Sequence, residues 1–189
     1  MQETQKISRS YILVILAISS LLLMVGAKIW QSIAKITLLP IILQVNDILL
    51  AIAITTSIIA FSAALYRFWP LYRQSMDVYI EDAIESLEWW DLIWLGLLPG
   101  LSEELLFRGV ILQAFGADIL AVIFSSLIFG ILHLRGLKYW PYAIIATLVS
   151  LVLGWSALFT GNLLVPITIH ILVNFFSCLL WKYYKAKNI

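Results

Sequence analysis

The sequence predicts an all-α fold, a polytopic bundle of about six transmembrane helices with an acidic amphipathic cytoplasmic helix between the second and third. Three observations carry that expectation. Of 189 residues, 62% are hydrophobic and only 12% are charged, with a mean hydropathy of +0.99; soluble domains run nearer half apolar and a quarter charged. The apolar residues gather into stretches close to the ~20 residues that cross ~30 Å of hydrocarbon. Those stretches lack the alternation of a membrane barrel, and backbone groups in lipid must be satisfied within the segment, which leaves helices.

Taken in order, the first stretch is Tyr11–Ala27, preceded by Lys6 and Arg9. Val25-Gly26-Ala27 resembles a signal-peptidase site, so a cleaved leader is the alternative to a signal anchor. The apolar segment Lys28–Asn46, with Pro40 inside it, is expected to lie in the interface or dip into the membrane. The second stretch is Ile48–Tyr66, with Asp47 as its candidate N-cap. The third runs from about Asp91 to Phe115 and is expected to break at Pro99–Gly100. The fourth is Ala117–Leu134, the fifth Tyr139–Phe159 and the sixth about Leu163–Trp181. No internal repeat or low-complexity segment is visible.

Charge placement predicts orientation. With the N-terminus inside, the inner segments hold Lys6, Arg9, Arg67, Arg73, Arg135, Lys138, Lys182, Lys185 and Lys187, and the outer ones only Lys28 and Lys35. This positive-inside bias puts both termini in the cytoplasm. Trp30, Trp69, Trp89, Trp90, Trp140 and Trp181 fall near span ends, where amphipathic rings favour the headgroup layer. Asp77, Glu81, Asp82, Glu85, Glu88 and Asp91 are six of the eleven acids. With Val78, Ile80, Ala83, Ile84 and Leu87 opposite them, they predict an amphipathic helix with a solvated acidic face. The net charge of +1 says nothing about nucleic acid, and with no basic block or interleaved aromatic stripe no nucleic-acid partner is expected. The single Cys178 excludes an internal disulfide framework and is expected to pack as a small apolar residue.

The informative residues are ionisable groups inside spans, which cost at least ~2.5–3.5 kcal/mol at mid-bilayer and are usually paired and functional. Glu104 and Arg108 are four apart on the third span and share a face, so they can pair. Glu103 is rotated about 100° away, so one acid is left for another partner. A carboxylate unpaired in an apolar cavity suits a general base near neutrality. Ser102 is a candidate cap for a helix restarted after Pro99–Gly100, which would put both acids at a positive helix end. His170 and Asn174 share a face of the sixth span. On the fourth, Phe129 and His133 repeat the spacing, placing a packing anchor below a histidine. Counting 1.5 Å per residue, Glu103 lies roughly 15–18 Å along its span, at a depth where it can meet both histidines in a cavity open to the cytoplasm.

Glu-Glu-x-x-x-Arg at 103–108, Phe-x-x-x-His at 129–133 and His-x-x-x-Asn at 170–174 resemble the three motifs of the CPBP family, also called the ABI family. It contains the type II CAAX prenyl endopeptidases and bacterial members linked to bacteriocin processing or self-immunity. Every motif position is kept, and the resemblance covers about Leu92–Trp181. It divides the chain into an N-terminal membrane region (1–91), a core of this type (92–181) and a basic cytoplasmic tail (182–189). The resemblance implies intramembrane peptide-bond hydrolysis of a membrane-associated peptide or protein, prenylated CAAX proteins being one possibility, with lipid as the surrounding partner. It implies that Glu103 activates water with His133 helping to hold or deprotonate it, that His170 and Asn174 stabilise the oxyanion, and that Glu104, Arg108 and Phe129 support them. No cofactor is firmly implied. Zn is possible on Glu103, His133 and His170, the source of an older metalloprotease label, although similar enzymes are better described as metal-free glutamate proteases.

Three other readings remain open. The polar pairs are helix glue, at ~0.6 kcal/mol per contact on average; the chain is a non-catalytic scaffold or self-immunity member; or it is a transporter, against which the missing repeat counts.

Overall fold

The computed structural model describes residues 8–187, apart from the side chains of Asp82 and Ala83. Lys6, and the places given to Asp82 and Ala83 on the amphipathic stripe, lie outside the described residues. The described chain is helical, with α1 at Arg9–Ala34, α2 at Val45–Phe68, α3 at Pro70–Ile84 and α4 at Leu92–Glu104. A π-helical segment, Leu105–Ile111, and a last turn, α5 at Leu112–Ala114, continue α4 without interruption. Then follow α6 at Ile119–Leu132, α7 at Trp140–Thr160 and α8 at Leu164–Lys187.

The distribution of polarity is that of a protein in lipid. Leu21, Leu22 and Ile33 on α1, Leu49 and Phe61 on α2, and Leu120 and Ile131 on α6 are exposed, while Ser102, Glu104, Arg108, Ser150 and His170 are buried. Four helices are long and apolar enough to cross a membrane, namely Arg9–Ala34, Val45–Phe68, Leu137–Thr160 and Leu164–Lys187. The protein is thus an integral membrane protein.

Several local expectations are corrected. The helix does not break at Pro99–Gly100; α4 runs through both. Proline inside a span is tolerated where neighbouring helices and hydroxyls re-satisfy the backbone, and α4 is packed against α8 and α1. Ser102 therefore caps nothing. Its hydroxyl donates to the Leu98 carbonyl at 2.8 Å in mid-helix, so Glu103 and Glu104 do not occupy a helix N-terminus. Gln44, not Asp47, holds the N-cap position of α2; Asp47 lies in the first turn and accepts from Asn162 Nδ2 at 2.7 Å.

Asn162 organises one end of the bundle. Its side chain bonds both the N–H and the carbonyl of Ile42, at 3.0 and 2.7 Å, and its Oδ1 accepts from Leu164 N–H at the start of α8. The chain between α1 and α2 is thereby held extended against the α7–α8 turn, with Leu163 N–H donating to the Pro40 carbonyl. Val25-Gly26-Ala27 lies within α1, with Ala27 fully buried.

The opposite end gathers the basic residues and α3. The acidic segment 77–91 is not one helix: α3 begins at Pro70, pre-set for a first helical turn, and stops at Ile84. Nor are its acids merely solvated. Asp77 accepts from Tyr66 Oη at 2.7 Å and from Trp181 Nε1 at 2.8 Å. Tyr72, Met76, Ile80 and Ile84 form a buried core with Leu92, Ile145 and Trp181, and Cys178 packs against it. Helix α8 continues past Trp181, so Lys182 and Lys185 sit on it; Lys182 donates to the Leu87 carbonyl and Lys185 pairs with Glu81 at 3.3 Å.

Arg9 ties α1 to the start of α4. Its Nε and Nη2 meet the two Asp91 carboxylate oxygens at 2.7 and 2.9 Å. The guanidinium holds the Asp91 carboxyl below its ordinary value of 3.8, although burial opposes it. A depressed folded-state pKa stabilises the fold above the unfolded value and is lost as pH falls through the depressed one. Wild type is therefore expected to lose thermal stability relative to Asp91→Asn as pH falls below about 4. Melting curves of the two proteins that stay parallel through that window would contradict the assignment.

Candidate active site

The local geometry begins with two glycines. A Cβ at Gly96 would lie 2.7 Å from the Ile171 carbonyl oxygen, and one at Gly100 would lie 2.5 Å from Ile171 Cγ1 and 3.0 Å from its backbone nitrogen. Small residues four apart let two helix backbones approach closely in lipid. Here they seat α4 on α8 at the turn before Glu103 and the turn after His170. The Gly96-x-x-x-Gly100 pattern was readable in the sequence and went unused. Gly96→Ala is expected to force the helices apart, at about 1–3 kcal/mol for an overpacked contact, and to cut activity with it. A variant with unchanged denaturation midpoint would refute the tight crossing.

That crossing brings four ionisable groups together. Glu104 Oε1 accepts from Arg108 Nη1 at 2.8 Å and from His170 Nδ1 at 2.7 Å. Glu104 and Arg108 are fully buried. His170 Nε2 faces Glu103 Oε2 at 3.9 Å, too far for a direct hydrogen bond. Glu103 Oε2 is buried without a hydrogen-bond partner. The expected division holds in space, one acid committed to the arginine and its neighbour left over. The His170–Glu104 contact was not foreseen, since nothing in the sequence aligns positions 66 residues apart.

Two further features escaped sequence reading. Arg108 Nη2 donates to the carbonyl and hydroxyl of Ser150, both at 2.6 Å, so α7 helps to hold it; a serine on an apolar span was the available hint, and Ser156 on the same helix offered it equally. The π segment was also missed. Leu112 N–H bonds the Phe107 carbonyl, five residues back, and such widened turns occur mostly at functional sites. Within it Arg108 stands 5.5 Å from the Phe129 ring centroid, a cation–π distance.

Phe129 is the anchor the spacing suggested. Its ring stacks on His133 at 4.2 Å and 23°, and meets His170 and Phe107 edge-on at 6.0 and 5.1 Å. His133, at the C-terminal end of α6, places Nδ1 2.8 Å from the Phe129 carbonyl oxygen. An Nδ1–H there leaves Nε2 as a free lone pair.

Glu103, His133, His170 and Asn174 all line one cavity of about 560 Å³. Its remaining walls are largely apolar, including Leu16, Phe61 and Met76. Metal ligation fits this arrangement poorly. Among the described residues no three His, Cys, Asp or Glu side chains stand together at ligand spacing.

Residues 85–176 match the sequence profile of the type II CAAX prenyl endopeptidase Rce1-like family. This part of the chain is similar to an Rce1-like domain. All three motifs lie inside the matched residues, and helices α1 to α3 lie outside. The Rce1-like segment also resembles the uncharacterized protein YpbD of Bacillus subtilis (strain 168), at 41% identity over 88 residues. The aligned part is 46% of this chain and 44% of YpbD, so the chain matches less than half the length of that curated relative. No solved structure matches.

Proposed function

We propose that the Rce1-like domain is an intramembrane endopeptidase in which Glu103 activates a water molecule against a peptide bond of a membrane-associated substrate. The observation that carries this reading is the unpartnered Glu103 oxygen in a cavity it shares with two imidazoles and an amide.

Each residue then has a role consistent with its contacts. Glu103 takes a proton from water, and His133 Nε2 holds that water by accepting its second hydrogen. The hydroxide attacks the carbonyl carbon, and the resulting oxyanion is received by His170 Nε2–H and the Asn174 amide, at about 3–4 kcal/mol per donor. Collapse breaks the C–N bond, and Glu103 returns its proton to the leaving amine. His170 Nδ1 already bonds Glu104, so the oxyanion step uses the form of His170 that carries a proton on both nitrogens. Glu104 is more than half of an ion pair here, because its bond to Nδ1 also orients His170.

The topology follows the same logic. In addition to the four long apolar helices, Leu92–Ala114 and α6 are taken to cross, giving six spans with the basic, α3-bearing end in the cytoplasm. The apolar cavity walls suit a lipidated or hydrophobic peptide, with prenylated CAAX proteins one such class.

The test is a terminal-peptide survey of membranes with and without the chain, run in ¹⁸O-labelled water. New C-termini carrying one label each are expected only with the active chain, on a preparation whose metal content is measured in parallel. An identical set of termini in both membranes would remove the protease reading.

A further inference from the structure

His133 occupies a weak position for a residue that must hold water. It follows the last helical residue of α6, where the backbone has left helical geometry (φ −89°, ψ 1°), so its own helix holds the ring through the Nδ1 bond to the Phe129 carbonyl. One ring face is covered by Phe129. Tyr79 of α3 also packs nearby, its ring near-parallel to the imidazole with centroids 5.9 Å apart at 25°. Tyr79 is itself stacked on Tyr142 of α7 at 4.1 Å and 25°. Tyr142 also approaches His133 directly, at 6.4 Å and 40°, so Phe129, Tyr79 and Tyr142 form a cluster of rings around the imidazole. Two residues beyond His133, Arg135 Nη1 donates to the Val78 carbonyl at 2.5 Å, so α3 grips the same loop next to Tyr79.

We propose that Tyr79 is a positioning residue for His133, its ring packed beside the imidazole and limiting its rotation so that Nε2 stays directed at the water beside Glu103. The reaction centre then extends beyond residues 85–176 to α3, which supplies the outer wall of the site. Tyr79 acts through its ring and not through proton transfer: burial, with the Glu103 carboxylate adding to it, pushes its phenol up to about 12. The inference rests on the hydrolase reading for its consequence in rate, but not for the orientation of the ring.

The chain has only two histidines, so ¹⁵N-imidazole spectra of the full chain in nanodiscs separate them, with His170→Gln assigning the pair. Wild type and Tyr79→Phe are expected to show His133 as the single Nδ1–H tautomer, and Tyr79→Leu as a mixture. In rate, Tyr79→Phe should stay within about threefold, whereas Tyr79→Leu should lose on the order of 10- to 100-fold in kcat with little change in KM, as for a misplaced group. Should Tyr79→Leu not accumulate, Tyr79→Met keeps the volume without the ring plane and is expected to behave as the leucine variant does. A single tautomer retained in the non-aromatic variant overturns the proposal whatever the rate, as does a loss in Tyr79→Phe equal to that in Tyr79→Leu. The spectra need no substrate, so a chain that hydrolyses nothing would refute the protease reading and still decide this one.

Discussion

Glu103→Gln is expected to abolish hydrolysis while leaving the protein folded and abundant. The glutamine keeps the size of the side chain but cannot take a proton from water, and general-base catalysis contributes about 10²–10⁴-fold. The fold should not notice. Glu103 Oε2 makes no hydrogen bond, and the cohesion of α4 and α8 comes from the glycine contact and from Glu104 with His170. The measurement is the single-turnover rate on a membrane-embedded peptide, beside a denaturation curve of the same preparation. A mutant that cleaves at the wild-type rate would end the case for Glu103 as base, and one that unfolds would make this acid structural.

Arg108→Ala should have the largest effect on stability. The guanidinium is fully buried and binds Glu104 and both Ser150 oxygens. Removing one partner of a buried ion pair strands the other, at about 3–5 kcal/mol. The variant is expected to accumulate poorly, and its surviving fraction to be impaired because Glu104 must both orient His170 and bear an uncompensated charge. Adding Glu104→Gln should restore part of the abundance and none of the activity. Normal accumulation of Arg108→Ala alone would show that the pair is not what holds this part of the bundle.

Much of this arrangement was legible in the sequence, and the reason is physical. Ionisable groups in an apolar segment are expensive, so Glu103, Glu104, Arg108 and His170 stood out by chemistry alone, and helical spacing paired Glu104 with Arg108 and put His170 with Asn174. What the spacing could not supply was contact between segments. The Glu104–His170 bond, the Ser150 grip on Arg108 and the Tyr79 ring beside His133 each join residues more than forty positions apart. Local signals misled where packing overrode them. Pro99 and Gly100 read as a break because proline removes a backbone donor, yet neighbouring helices hold the segment straight. The acids of 77–91 read as a solvated face because most such runs are, whereas Asp77 and Asp91 are anchored by Trp181 and Arg9.

The shortness of α6 has a consequence for the host lipid. Its 14 residues rise about 21 Å, roughly 9 Å less than a typical hydrocarbon slab. On the proposed six-span topology, an element that short would be matched by local thinning of the bilayer, which would draw the headgroup layer down toward His133 at its end. Reconstitution in longer-chain lipids should then slow turnover by lengthening the path of water, while changes in ionic strength leave it nearly untouched.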